Sequence, residues 1–142
     1  MKRSFFVLAV VLVLSAILLS ACGGGGDKAS TRPEPPSTYA SLTNPVAGKA
    51  DAAEAGKTVY ETNCSSCHGT TGKGDGPAGA ALDPKPGNLD KAVAEASDAY
   101  LFWRVSDGGG MDPFKSSMPA WKGILSEADI WNVITYMQVN FK

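Results

Sequence analysis

Residues 62–70 read "TNCSSCHGT", which sets Cys64 and Cys67 three positions apart with His68 immediately behind them. Three chemistries use such a pair: a redox dithiol or disulfide, a zinc site, and covalent haem attachment through C-x-x-C-H. Zinc fails on count. His68 is the only histidine in 142 residues and no cysteine follows Cys67, so carboxylates would have to replace the usual nitrogen and sulfur ligands. A Cys64–Cys67 disulfide competes in an oxidising compartment. Against it, "DAAEAGKTVYET" ahead of the pair holds no apolar strand run of the kind that precedes a thioredoxin-like dithiol. Haem attachment uses all three residues. Positions i and i+3 share one side of a helical turn, so both sulfurs reach the vinyl groups of one haem edge and His68 projects beneath the ring toward iron.

Toward the N-terminus, Met1-Lys2-Arg3 and the uncharged apolar run from Phe5 to Leu19 have the layout of an export signal, residues 1–21. Leu19-Ser20-Ala21-Cys22 resembles the lipobox of bacterial lipoproteins, which implies acylation of Cys22. The alternative is an uncleaved transmembrane helix, since the run approaches the roughly 18–20 residues that span a bilayer. Either way the remainder is expected outside the cytoplasm, tethered to a membrane. Residues 22–49 are rich in Gly, Pro, Ser and Thr and read as a flexible, lipid-anchored linker. The competing reading is a structured extension on the domain surface.

Residues 50–142 suffice for one small domain. They carry eight basic side chains, seven Lys and Arg104, against twelve acidic ones, a formal net charge of −4. Such a surface excludes nucleic acid as a partner and favours partners with basic docking patches, associating in a salt-sensitive way.

With one histidine, the second axial ligand must come from elsewhere, and methionine is the natural donor. Met1 leaves with the signal. Met137 recurs with Ile130, Val133 and Ile134 at helical spacing and reads as core. Met111 and Met118 both lie in the loop-like "DGGGMDPFKSSMPAW". Pro119 turns residue 118 away from helical geometry, so an extended strap can present the Met118 thioether, whereas Met111 adjoins three glycines.

From Gly56 to Lys142 the chain resembles the class I c-type cytochromes of bacteria, with "GKTVYETNCSSCHG" in front, "MPAW" as the methionine strap and "SEADIWNVITYMQ" as the closing helix. The resemblance implies an all-α cytochrome c fold in which the N- and C-terminal helices cross and loops wrap one haem c, covalent through Cys64 and Cys67. It implies His68 and Met118 as the axial metal ligands, with Trp121 covering the strap. It also implies that Gly56, four residues before Tyr60, lets the closing helix cross at Val133 and Tyr136. A proline carbonyl should accept a hydrogen bond from His68. Pro86 in "PKPGNL" is the choice, with Pro84 next, although Gly87 interrupts the family's usual order.

A third helix is expected from Ser97 as N-cap to about Gly108, with Leu101, Phe102 and Val105 toward the haem. Trp103 and Arg104 are candidates for a haem propionate, or else Trp103 is core and Arg104 solvated. Ser126 should cap the last helix. The glycine-rich stretch between the motifs lacks G-x-x-x-x-G-K-[ST] and is no phosphate loop.

Iron closed by His68 and Met118 has no position for a substrate, so the sequence describes an electron-transfer protein and not an enzyme. Methionine opposite histidine raises the reduction potential. The chain then either shuttles electrons between respiratory or photosynthetic complexes, or is a fixed haem subunit of a larger one such as alternative complex III, a terminal oxidase or a dehydrogenase. An open-site haem sensor or peroxidase follows only if Met118 is not a ligand.

Overall fold

The computed structural model describes residues 32–141. The export signal, Cys22 and the first residues of the expected linker lie outside them. Five α-helices and one short 3₁₀ turn, Pro77–Gly79, make up the described architecture, and no β-strand occurs among the described residues. The all-α expectation holds. No helix among them is long and apolar enough to cross a membrane.

Helix α1, Ala50–Asn63, buries Ala52, Gly56 and Tyr60, a stripe at intervals of four that presents one face to a partner. That partner is the C-terminal helix α5, Glu127–Asn140, which buries Ile130, Trp131, Val133, Ile134, Thr135 and Met137. The two cross at Gly56, where a β-carbon would collide with the Asn132 carbonyl and come within 2.9 Å of the Val133 nitrogen. The crossing is thus made on backbone, at Asn132 and Val133. Tyr136 contributes one residue turn later by stacking on Tyr60, ring centroids 5.4 Å apart. Ser126 begins α5 with a reciprocal capping box: Asp129 N–H donates to Ser126 Oγ at 3.1 Å, and Ser126 N–H donates to Asp129 Oδ2 at 3.2 Å.

The short helix α2, Ser65–His68, continues directly from α1 across Cys64. Helix α3, Leu89–Glu95, starts at Asn88, whose side chain accepts from Lys91 N–H. It was not expected from the sequence, because its seven residues follow a glycine- and proline-rich stretch and offer less than two full turns of pattern. Its Leu89, Ala92 and Val93 pack against the core. Helix α4, Asp98–Asp107, is capped by Ser97 as expected and stops at Gly108.

The domain begins earlier than expected. Its compact unit starts at Arg32, and the described part of the expected linker is a structured strap made of turns. Tyr39, Leu42 and Val46 pack against the core. Asn44, 8% exposed, donates from Nδ2 to Thr135 Oγ1 at 2.9 Å and to Gln138 Oε1 at 3.2 Å, while its backbone N–H donates to Asp98 Oδ2 at 2.9 Å. Tyr39 Oη donates to Asp107 Oδ1 at 2.8 Å. A buried amide costs free energy unless bonded, and these partners from α4 and α5 fix the strap's course.

Candidate functional site

Helix α1 ends where its Cys64 N–H donates to the Tyr60 carbonyl at 2.9 Å, and α2 then turns Cys67 and His68 onto the same side as Cys64. The three side chains line a cavity of about 610 Å³, a volume within the range of ligand pockets, about 300–1,000 Å³. Leu101 and Val105 of α4, Val133 and Met137 of α5, and Leu89 and Ala92 of α3 give it apolar walls. Met118 and Trp121 enter the lining from the loop after α4.

The loop that follows α2 is hung from the motif's own backbone. Gly74 N–H donates to the His68 carbonyl at 2.8 Å and Gly76 N–H to the Cys67 carbonyl at 3.2 Å. Tyr60 Oη donates to the Gly69 carbonyl at 2.7 Å from a fully buried ring. Burial pushes the Tyr60 hydroxyl well above its ordinary pKa, so it stays a donor.

His68 Nδ1 lies 3.3 Å from the Gly87 carbonyl. A carbonyl only accepts, so Nδ1 carries the proton and a neutral imidazole keeps its lone pair on Nε2. Burial lowers the His68 pKa, partly countered by the Gly87 bond; the neutral, ligand-ready form is favoured. The acceptor is therefore Gly87 and not Pro86 or Pro84. The Pro86 carbonyl instead lies against Gly74, while both prolines remain in the cavity lining. Burial, with a smaller contribution from Cys67, pushes the Cys64 thiol up to about 12, and both cysteines are free of a disulfide.

Of the methionines, Met118 and Met137 line the cavity and Met111 does not. Arg104 Nη1 lies 3.7 Å from the Met111 sulfur and 2.8 Å from the Gly108 carbonyl, to which it donates. The guanidinium also stacks on Phe114, 3.4 Å from the ring centroid. Arg104 is thus a lining residue that organises the methionine-bearing loop. Trp103 takes the core place given as the alternative to propionate binding: it is buried against Tyr100 and Phe114, at 5.8 and 5.5 Å between centroids, outside the lining. Phe102 also turns away, onto Trp131 at 4.3 Å. Both follow from α4 being buried on several sides, so that only Leu101, Arg104 and Val105, with Tyr100, reach the cavity.

The sequence reading missed α3 and Arg32 as parts of the site. Asn88 ahead of "LDKAVAEA" was the available signal for the helix. Tyr39, Leu42 and Val46, recurring at three and four, were the signal that the supposed linker packs.

The donor set is chemically matched to a haem c: two thiols, a neutral imidazole held at Nδ1, a thioether and apolar walls. Residues 51–137 match the family described as cytochrome C oxidase, cbb3-type, subunit III. The chain belongs to this family. It is a c-type cytochrome domain, the class that binds haem covalently. It is 32% identical over 88 residues to a cbb3-type cytochrome c oxidase subunit CcoP of Azospirillum brasilense, a match that takes in 62% of this chain and 28% of that protein. The chain thus spans less than a third of that relative's length. A chain of the Kuenenia stuttgartiensis reducing HAO-like protein complex shares the fold at TM-score 0.53 and 22% identity, over 66% of this chain and 45% of that one.

Proposed function

We propose that the protein is a one-electron carrier that holds a single haem c through Cys64 and Cys67, with His68 and Met118 as axial ligands, and serves a larger redox complex. The observation that carries this reading is that one cavity is lined by both thiols, the imidazole and the Met118 thioether, with apolar walls. When bound, haem c supplies a reversible one-electron iron couple.

The chain's own residues do the rest. Gly87 holds the Nδ1 proton, so Nε2 is the nitrogen available to iron. Leu101, Val105 and Val133 exclude water, and a low dielectric disfavours added charge on the oxidised form. With haem bound, the Met118 thioether would be the second protein ligand to the iron, and it would leave no open place for a substrate or gas.

Acylation of Cys22 anchors the domain to the outer face of a bacterial membrane, where it accepts electrons from one complex and passes them to another. Likeness to an oxidase subunit favours a second arrangement, a fixed haem subunit of a terminal oxidase. Co-purification in mild detergent separates a fixed subunit from a shuttle. The chemistry is tested by the absorption spectrum of the reduced, exported chain before and after carbon monoxide. The wild type should show a c-type spectrum that carbon monoxide leaves unchanged, and Met118→Ala should keep its covalent haem yet bind carbon monoxide. A prompt shift in the wild type overturns the closed site and moves gas sensing or peroxide chemistry to the front.

A further inference from the structure

Three basic side chains, Arg32, Lys91 and Arg104, line the cavity, and no aspartate or glutamate does. This contrasts with the formal net charge of −3 across residues 32–142, ten basic side chains against thirteen acidic ones. The cavity is therefore a cationic pocket in an acidic domain, and its basic members differ in how they are held. Arg104 is engaged with Gly108, Met111 and Phe114. Lys91 is exposed on the short α3. Arg32 comes from outside the family-matched residues 51–137, and two separate elements hold it.

Arg32 Nη1 pairs with Glu95 Oε2 at 2.9 Å, at the end of α3, with only 24% of the arginine side chain exposed. Its guanidinium also lies 5.8 Å from the Tyr100 ring centroid, and Tyr100 is itself a lining residue. Behind it, the strap is fastened to α4 and α5 through Tyr39 and Asn44. A folded segment, and not a loose tail, delivers this guanidinium to the cavity.

Haem carries two carboxylates, and a guanidinium is the side chain whose planar fork of five donors matches that geometry. We propose that Arg32 binds a haem propionate, so that the strap preceding the family-matched domain is part of the cofactor site and raises its reduction potential. The proposal rests on the haem reading above. A fixed positive charge in a partly water-excluded site favours the iron state that is less positive by one unit.

The test is the reduction potential and melting temperature of the full haem-loaded chain in wild type, Arg32→Gln, Arg32→Lys and Glu95→Gln. Arg32→Gln should lower the potential, Arg32→Lys should fall between it and the wild type, and Glu95→Gln should not lower it. Both Arg32→Gln and Glu95→Gln lose the ion pair, so both should melt below the wild type while their potentials diverge. An unchanged potential in Arg32→Gln, or an equal drop in Glu95→Gln, overturns the assignment and leaves Arg32 a structural ion pair. If Arg32→Gln does not accumulate loaded protein, Arg32→Lys decides: a potential below wild type supports the assignment and an unchanged one overturns it. Absence of covalent haem from the wild type overturns the cavity reading itself, a separate result from a loaded chain indifferent to residue 32.

Discussion

The segment bearing Cys64, Cys67 and His68 grows out of a helix that crosses α5 at backbone contact, whereas the segment bearing Met118 is a loop with no helix of its own. The first is positioned by packed side chains: Tyr60, Tyr136 and Phe141 form a ring cluster with centroids 5.1–5.6 Å apart. The second is positioned mainly by backbone bonds, Gly109 N–H to the Met118 carbonyl at 2.9 Å, Ser116 N–H to the Gly109 carbonyl at 2.7 Å and Lys122 N–H to the Ser106 carbonyl at 3.0 Å. Packing is cooperative across the core, so damage there spreads. Hydrogen bonds in a loop open locally. One axial donor should therefore be inseparable from folding and the other separable from it.

Gly56→Val should have the largest effect, because the new side chain meets the Asn132 carbonyl with no room to move. Overpacking of this kind costs about 1–3 kcal/mol or more, and each kcal/mol lowers Tm by about 4–8 °C in a domain of this size. Calorimetry of the haem-loaded chain measures it, and an unchanged Tm would remove the crossing as the foundation of the histidine-bearing segment.

Gly108→Ala should act on the other segment alone. Gly108 has φ 71° and ψ −150°, and an added β-carbon would lie 2.6 Å from the Met118 carbonyl oxygen. Strain of about 1–3 kcal/mol is expected for a residue with a β-carbon there. About 1.4 kcal/mol is a tenfold shift in an equilibrium, so the fraction open to carbon monoxide should rise roughly tenfold or more while haem stays covalently attached. A global loss of Tm as large as that of Gly56→Val would erase the proposed difference between the segments.

The smallest effect belongs to Asp107, which ties the methionine-bearing loop to the strap through Lys122 at 2.6 Å and Tyr39 at 2.8 Å. Burial alone would raise its pKa, but hydrogen bonds from Lys122, Tyr39 and Trp103, with the Lys122 charge, outweigh it and hold the carboxyl below its ordinary value. A lowered carboxyl pKa stabilises the fold above the unfolded value of about 3.9, and that contribution is lost as pH falls through the folded value. Asp107→Asn should thus cost about 1 kcal/mol at neutral pH after solvent screening. The gap to wild type should close in acid, followed by denaturant titration at several pH values. A gap that stays constant with pH would show that the carboxylate charge is not what ties the loop down.

Much of the site was legible because it depends on local chemistry. The C-x-x-C-H spacing, the caps at Ser97 and Ser126, and the small residue at 56 each declare themselves within a turn or two of chain. Placements that depend on which faces meet were not legible. Phe102 lies next to the cavity residue Leu101 in sequence, yet it turns away because α4 is also packed against Trp131 of α5 and Tyr39 of the strap. The acceptor for His68 moved by one residue, from Pro86 to Gly87, since its choice depends on how the loop after Gly69 folds back. Residues 32–49 looked like a linker by composition, although Tyr39, Leu42 and Val46 pack against the core and Asn44 is bonded to α4 and α5.

By itself, the sequence determined the C-x-x-C-H motif, the all-α class and the starts of α4 and α5, because motif spacing, caps and apolar periodicity are properties of neighbouring residues. Only the tertiary structure decided which carbonyl orients His68, which side chains line the cavity and that a strap outside the family-matched domain brings Arg32 to it. Those outcomes rest on contacts between residues up to 94 positions apart, as in the Asn44–Gln138 bond, where burial and partner geometry outweigh any local preference.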